Sequence, residues 1–180
     1  MQNFDKTTHS PQLDAYISSE NFNVYIEAKC HEIFDSHKVE FKNKYWECFK
    51  DDEALKELLS ETYTKKDKFQ IPLKSFGISK KSARFDIKQL VCHLLGIAKQ
   101  NGGKPAKLVY MFFKPCCNDP EISNKIDVVF NELSEEINLI FTSNAIQCFC
   151  KNNNIELAAI ALYSQTMQDF DSSNIINLLN

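Results

Sequence analysis

Alternating apolar and polar residues at the start of the chain predict a β-hairpin. Every second side chain is apolar over residues 12–17, QLDAYI, as expected of a short strand. The turn-like segment SSENFN follows, and residues 23–30, NVYIEAKC, resume the alternation with strong strand formers. Successive side chains of a strand point to opposite faces, so Glu27 and Lys29 share one face. We expect that face to be solvated, and the core face to carry Val24, Ile26 and Ala28.

Longer periodicities predict helices and two further strands. Apolar residues recur at helical spacing in four segments: 51–61, 82–100, 121–141 and 143–151. In the second of these, Ser82 is a candidate cap and the NGG after Gln100 a candidate end. The continuous apolar runs KLVYMFF at 107–113 and IELAAIALY at 155–163 are typical of strands buried on both faces. The tail after them has a helical pattern.

The order of these elements predicts an α/β fold with a mixed β-sheet and helices on its faces. The two apolar strands, joined by helices, have the pattern of a crossover between parallel strands. We expect one domain over residues 1–180, with a core at about 10–115 and a C-terminal helix–strand–helix extension at about 116–180.

Composition narrows the class of protein. The chain has 180 residues, 43% of them hydrophobic, and a net charge of −3, which is ordinary for a globular protein. No apolar run approaches the roughly 20 residues that a membrane helix needs, and the first residues do not form a signal sequence. Its seven cysteines are an odd number, which favours free packing thiols over disulfides or zinc ligands. We therefore expect a cytoplasmic protein with no membrane partner.

The predicted hairpin brings candidate catalytic side chains together on one surface of the sheet. If its strands pair, Asp14 falls beside Glu27 and Lys29. Two neighbouring carboxylates repel each other unless a cation offsets them, and Mg²⁺ favours one or two carboxylates plus water and phosphate oxygens. The carbonyl of Ala28 could complete such a site. Lys29 could then orient or deprotonate the attacking water, or stabilise charge on a phosphodiester in its transition state.

These residues resemble the motif of the PD-(D/E)xK, or restriction-endonuclease-like, nuclease superfamily. The matching segments are SPQLDAYI, with Asp14, and VYIEAKC, with Glu27 and Lys29. The resemblance implies an α-β-β-β-α-β core over about 10–115, with its third strand within 69–78. It also implies Mg²⁺-dependent, or Mn²⁺-dependent, hydrolysis of DNA in a restriction or phage-defence role. Many relatives act as dimers, so a homodimer is also expected.

A second segment strengthens the resemblance. FDIKQLVCHLLGIAK is similar to the Q-L-x-x-H-L-L-G helix of bacterial restriction-endonuclease-like proteins. The resemblance implies a supporting polar role for Gln89 in the site. His93, four residues on and on the same helix face, has either a phosphate-binding or a structural role. Some relatives carry an acid just after the lysine, and Glu32 is similar to it in position.

A lysine-rich stretch is the candidate nucleic-acid contact. Residues 64–84 contain seven basic side chains against the single acid Asp67. Such a stretch is either a solvated loop or a surface that contacts backbone phosphates. The candidate DNA-binding residues are Lys65, Lys66, Lys68, Lys80, Lys81 and Arg84.

Two other interpretations remain open. Many relatives carry a glutamate on a helix before the first strand, whereas only about ten residues, with Asp5 and no glutamate, precede that strand here. That helix is missing, shortened or supplied by a partner chain, and the protein could then be a nuclease-fold protein that binds nucleic acid or a protein partner without cutting. Alternatively, the fold is an unrelated α/β one in which Glu27 and Lys29 form a surface ion pair.

Overall fold

The computed structural model describes residues 12–59 and 68–163, which form a mixed α/β structure. Its main sheet has four strands: β1 (Ala15–Ser18), β2 (Asn23–Lys29), β5 (Ala106–Lys114) and β6 (Ile155–Tyr163), in the order β1-β2-β5-β6. The predicted hairpin is confirmed, because β1 and β2 pair antiparallel. β5 is parallel to both of its neighbours, which confirms the predicted parallel pairing of the two long apolar strands.

A second sheet has two strands, which fall between β2 and β5 in the sequence. It pairs β3 (Glu40–Lys42) antiparallel with β4 (Lys68–Gln70). The prediction that a third core strand lies within 69–78 is therefore wrong: β4 belongs to the small sheet, and a 3-10 turn at Leu73–Phe76 follows it. Phe41 of β3 stacks on Phe69 of β4, with ring centroids 5.3 Å apart, and this aromatic packing holds the small sheet together.

Short helices flank the small sheet. They are α1 (Trp46–Phe49) and α2 (Glu53–Lys56), with 3-10 turns at Glu32–Phe34 and Asn43–Tyr45. The helix predicted for 51–61 is thus shorter than expected in its described part. The Asp52 side chain accepts a hydrogen bond from the Leu55 N–H at 3.0 Å and caps α2. Residues 60–67 lie outside the described part of the chain, as do the predicted helical tail and the lysines at 65 and 66.

Three longer helices connect the parallel strands. They are α3 (Ile87–Gln100), α4 (Pro120–Phe141) and α5 (Asn144–Asn152), close to three of the predicted segments. α3 begins five residues after Ser82, which is therefore not its cap. The cap is Asp86, whose Oδ1 accepts the N–H of Gln89 at 2.9 Å. Gly102 and Gly103, with φ of 61° and 79°, follow the end of α3 in the left-handed conformation that glycine adopts at low cost.

The faces of β2 are the reverse of the predicted ones. Tyr25 and Glu27 are 8% and 3% exposed, whereas Val24, Ile26 and Ala28 are half-buried. The reason is that α3 packs over the face that carries Glu27, and its polar side chains satisfy the buried carboxylate. The prediction that β6 is buried on both faces is also wrong in part, because Ile160 is 46% exposed.

Aromatic side chains fill the core beneath the charged face. Phe85, just before α3, lies 5.0 Å from Tyr110 of β5 and 5.7 Å from Phe141 of α4, measured between ring centroids. Tyr110 also stacks on Phe112 at 6.3 Å. α3, α4 and the Glu27 face of the sheet therefore share one core, and this core supports the polar residues described below.

The sequence predicts free packing cysteines. All seven cysteines are free thiols. Burial raises the pKa of Cys92 to about 11 and that of Cys150 to about 12, so both are protonated at neutral pH and pack as small apolar groups.

Across residues 12–59 and 68–163, no helix combines the length and hydrophobicity that crossing a membrane requires.

Candidate active site

Asp14 lies directly before β1 and next to the segment of β2 that carries Glu27. The outermost pair of the two strands is Ala15 with Ile26, and the Asp14 N–H donates to the Ile26 carbonyl at 3.0 Å. The Ala28 N–H donates to Asp14 Oδ2, and the charge of Asp14 acts on the carboxyl group of Glu27. The structure therefore brings together the two acids on which the predicted site depends.

Glu27 sits at the centre of a buried polar group. Its Oε1 accepts two hydrogen bonds, from Lys29 Nζ and from Gln89 Nε2, each at 2.6 Å. The side chains of Glu27 and Lys29 are 5% and 14% exposed, so their ion pair is not on a solvated surface. This contradicts the interpretation of Glu27 and Lys29 as a surface ion pair.

The environment of Glu27 disfavours its charged form. Burial raises the pKa of Glu27 above its usual value, and the negative charge of Asp14 adds to this effect. Hydrogen bonds from Lys29 and Gln89 and the lysine charge oppose the shift without cancelling it. A carboxylate in this position gains from a further cation nearby, because such a cation offsets both the burial and the repulsion from Asp14.

The backbone of β2 orients Asp14. The N–H of Ala28 donates to Asp14 Oδ2 at 2.7 Å, which fixes one carboxylate oxygen against the strand and leaves the exposed side chain its other oxygen. The contribution of the Ala28 carbonyl to a metal site stays a prediction. The Ala28 N–H holds the first acid near the second.

Gln89 reaches the site because of where α3 begins. Asp86 caps the helix through the Gln89 N–H, so Gln89 stands in the first turn, above Glu27 of β2. Asp86 Oδ2 also lies 3.9 Å from His37 Nδ1, and His37 Nε2 is 3.3 Å from the carbonyl of Glu32. The loop after β2 is thus tied to the start of the helix that supplies Gln89.

His93 lies one helical turn beyond Gln89 and is fully buried. Its Nε2 is 3.9 Å from Glu27 Oε2, and neither of these two buried atoms has a hydrogen-bond partner. Its Nδ1 is 3.0 Å from the Tyr110 hydroxyl. Burial, together with the charge of Lys29, lowers the pKa of His93 to about 4, so the ring is neutral at pH 7.

A cavity of about 100 Å³ opens beside Lys29. Aromatic and aliphatic side chains form its apolar part, and its polar lining consists of Lys29, Glu32, His37, Arg84 and Asp86. Since one water takes about 30 Å³, the cavity has room for a few waters or one small polar group. It is far smaller than the sites that take drug-sized ligands, which span roughly 300–1,000 Å³.

Glu32 lines this cavity and does not reach Glu27. Its Oε2 accepts the Cys30 N–H at 2.9 Å, which folds the side chain back onto its own loop. Burial raises the pKa of Glu32, but backbone N–H groups and the charge of Lys29 outweigh that effect and hold the pKa below its usual range. Glu32 is therefore a charged wall of the cavity beside Lys29.

The candidate DNA-binding residues have different surroundings. Lys80 and Arg84 both pair with Glu132 of α4, at 3.2 and 2.6 Å, and Arg84 also donates to the Phe34 carbonyl at 3.2 Å. Lys68 pairs with Glu40 of the small sheet. Lys81 is exposed. Arg84 thus joins α4 to the loop after β2, in addition to any contact it makes with a ligand.

Donor type and number decide whether these residues fit a divalent cation. Across the two described stretches, no three His, Cys, Asp or Glu side chains converge in a metal-binding arrangement. Mg²⁺, however, commonly uses one or two protein carboxylates and completes its shell with water and substrate oxygens. Glu27 Oε2, buried and without a partner, and the exposed carboxylate of Asp14 meet that requirement. The pair therefore fits Mg²⁺ or Mn²⁺ together with a phosphate ligand.

Sequence reasoning missed three polar residues around the site: His37, Asp86 and Tyr110. Asp86 carried a usable signal, because an Asp directly before an apolar-periodic segment is a typical helix cap. Tyr110 is the one hydroxyl within the apolar run of β5, and a buried tyrosine hydroxyl usually needs a partner. For His37 the sequence offers no comparable signal.

Comparison with known proteins adds no identification. No family model, no curated protein and no solved structure matches this chain.

Proposed function

We propose that this protein is a metal-dependent nuclease that hydrolyses phosphodiester bonds in DNA, with a PD-(D/E)xK-type site. One observation carries the proposal: the charge of Asp14 acts on Glu27, and Glu27 accepts hydrogen bonds from both Lys29 and Gln89. A half-buried lysine and a glutamine on one buried carboxylate, with a second acid nearby, cost folding energy, and a structural role alone does not require this combination. The restriction-endonuclease-like fold and a restriction or phage-defence role are part of the same proposal.

Asp14 and Glu27 would hold Mg²⁺ or Mn²⁺. When bound, such an ion offsets charge on the phosphate and lowers the pKa of a coordinated water. The residues themselves supply position: the Ala28 N–H fixes Asp14, and Gln89 with Lys29 fixes Oε1 of Glu27. This leaves one oxygen of each acid without these contacts.

Lys29 would act on the phosphate and on the attacking water. As an ammonium paired with Glu27 it has donors and no lone pair, so in this form it orients water and stabilises negative charge on the phosphate rather than accepting a proton. In the hydrolysis, a water oxygen forms a bond to phosphorus while the bond from phosphorus to the leaving oxygen breaks. The water proton passes to solvent, and the leaving oxygen takes up a proton. The cavity beside Lys29 offers space for that water.

The test is cleavage of supercoiled and linear DNA by the purified protein with Mg²⁺, Mn²⁺ or EDTA. We expect metal-dependent cleavage, and losses on the order of 100-fold or more in Asp14→Asn and Lys29→Ala, as is typical when a group that stabilises transition-state charge is removed. Lys104→Ala is the matched control, because Lys104 is exposed at the opposite end of the parallel strands. Cleavage that persists undiminished in Lys29→Ala would refute the proposal. Cutting of both DNA strands would favour a homodimer. Light scattering on the same samples measures the oligomeric state.

The second candidate is a nuclease-fold protein that binds nucleic acid or a protein without cutting. The burial of Glu27, 3% exposed and already ion-paired with Lys29, favours it, because an ion reaches such a carboxylate only if the site opens. This candidate predicts DNA or partner binding that is unchanged in Asp14→Asn and no cleavage with either metal. Cleavage that disappears in Asp14→Asn excludes it.

A further inference from the structure

A second layer of polar residues lies behind Glu27. It consists of His93 from α3 and Tyr110 from β5. Tyr110 is the strand neighbour of Glu27 in the parallel β2–β5 register, and His93 is one helical turn from Gln89. Both residues are buried, with exposed fractions of 1% for Tyr110 and 3% for His93. Neither is part of the proposed chemistry, so their polar atoms need another explanation.

Geometry determines which imidazole nitrogen carries the proton. His93 Nε2 faces Glu27 Oε2 at 3.9 Å, and His93 Nδ1 faces the Tyr110 hydroxyl at 3.0 Å. A bare nitrogen lone pair at Nε2 would repel the negative oxygen, whereas an N–H there is attracted to it. The neutral ring has one N–H, so it belongs on Nε2, and the Tyr110 hydroxyl then donates to the lone pair of Nδ1.

We propose that Tyr110 and His93 are positioning residues that orient Oε2 of Glu27, the oxygen left for a divalent cation, while Lys29 and Gln89 hold Oε1. The chain runs from the Tyr110 hydroxyl to His93 Nδ1, and from His93 Nε2–H toward Glu27 Oε2. The gap of 3.9 Å is too long for a direct hydrogen bond. A small movement of Glu27, or one water touching both atoms, closes it, and this freedom lets the carboxylate adjust when an ion binds.

The inference rests on the proposed function for its catalytic consequence, and its structural part can be measured without activity. Nitrogen-15 NMR of the imidazole distinguishes the two tautomers. We expect His93 to be the Nε2–H tautomer in the wild type, and Tyr110→Phe to change the Nδ1 signal because its donor is lost. A protonated Nδ1 in the wild type would overturn the inference whether or not the protein cleaves DNA.

Metal dependence gives the second readout. We expect His93→Leu to raise the Mn²⁺ concentration for half-maximal cleavage on the order of 10–100-fold, the usual effect of losing a group that orients a metal ligand. His93→Gln, which can place an N–H near the position of Nε2, should recover part of this loss. Tyr110→Phe keeps the ring and removes only the hydroxyl, so it should give a smaller change in the same direction.

A control separates positioning from packing. Ile97→Val removes one buried methyl group from the same helix, so it should lower the melting temperature and leave the Mn²⁺ dependence unchanged. If His93→Leu behaves like Ile97→Val, His93 is a packing residue and the inference fails. If the wild type neither binds Mn²⁺ nor cleaves DNA while the tautomer is as expected, the proposed function fails and the structural part of the inference stands.

Discussion

Gln89 Nε2 donates to Glu27 Oε1 at 2.6 Å and thereby joins helix α3 to strand β2 across 62 residues of sequence. The same oxygen receives the Lys29 ammonium. One carboxylate of β2 therefore contacts helix α3 and also forms the ion pair of the site. Changes to any of its partners should affect activity and stability in separable ways.

Removing the Gln89 donor should lower activity more than stability. In Gln89→Leu, Glu27 Oε1 keeps Lys29 but loses its second donor, and the carboxylate can turn. We expect a stability loss of about 1 kcal/mol, the usual worth of one hydrogen bond, and a cleavage rate lower by about 10-fold or more. Urea unfolding and single-turnover cleavage measure the two effects. An unchanged cleavage rate would show that Gln89 has no supporting role in the site.

Removing Lys29 should leave Glu27 as an unpaired buried charge. We expect Lys29→Met to cost about 1–3 kcal/mol of stability at pH 7, because a buried charged group then lacks its partner. The double variant Lys29→Met with Glu27→Gln should recover most of that stability and none of the activity. Chemical unfolding of the single and double variants forms a double-mutant cycle. Full additivity in the cycle would mean that the two side chains do not interact.

The contact between Arg84 and Glu132 predicts a pH-dependent contribution to stability. A hydrogen bond and the charge of Arg84, with help from Lys80, hold the pKa of Glu132 below its usual value of 4.5. A lowered carboxyl pKa stabilises the fold above the unfolded-state pKa, and this contribution disappears as the pH falls through the folded-state value. The melting temperatures of wild type and Glu132→Gln should therefore differ at pH 6 and converge as the pH falls through the folded-state pKa of Glu132. A difference that does not vary with pH would contradict this assignment.

Exposed lysines should differ from paired ones in DNA binding. Lys81 is exposed, whereas Lys80 shares Glu132 with Arg84. We expect Lys81→Ala to weaken DNA binding at all sequences and to reduce the slope of log affinity against log salt by about 1. Lys80→Ala should have a smaller effect, and Lys104→Ala none. Fluorescence anisotropy at several salt concentrations provides these slopes, and equal effects of Lys81→Ala and Lys104→Ala would exclude the lysine-rich stretch as the contact surface.

The site was more predictable from sequence than the surroundings that bury it. Strand alternation places Glu27 and Lys29 on one face of β2, and helical spacing places Gln89 and His93 on one face of α3, because both patterns are local. Which face becomes the core depends on where α3 packs, and this is a long-range property. The presence of Glu27 and Lys29 led to the prediction of a solvated face, but Gln89 and Lys29 satisfy the buried carboxylate.

The third core strand was mispredicted for a related reason. Residues 69–78 do contain strand formers, and β4 is a strand, but it pairs with β3 in a separate sheet. Strand propensity does not specify a partner, since the partner is set by packing with distant residues. The parallel neighbour of β2 is instead β5, which the apolar run at 107–113 predicted as a buried strand paired with 155–163 but not with β2.

The most direct test of the account is a crystal structure of the protein soaked in Mn²⁺, with anomalous scattering used to locate the ion. The account predicts a peak between Asp14 and Glu27, about 2.1 Å from a carboxylate oxygen of each, and loss of that peak in Asp14→Asn. Crystals of a protein that cleaves DNA with Mn²⁺ but show no peak at these two acids, or show it elsewhere, would contradict the account.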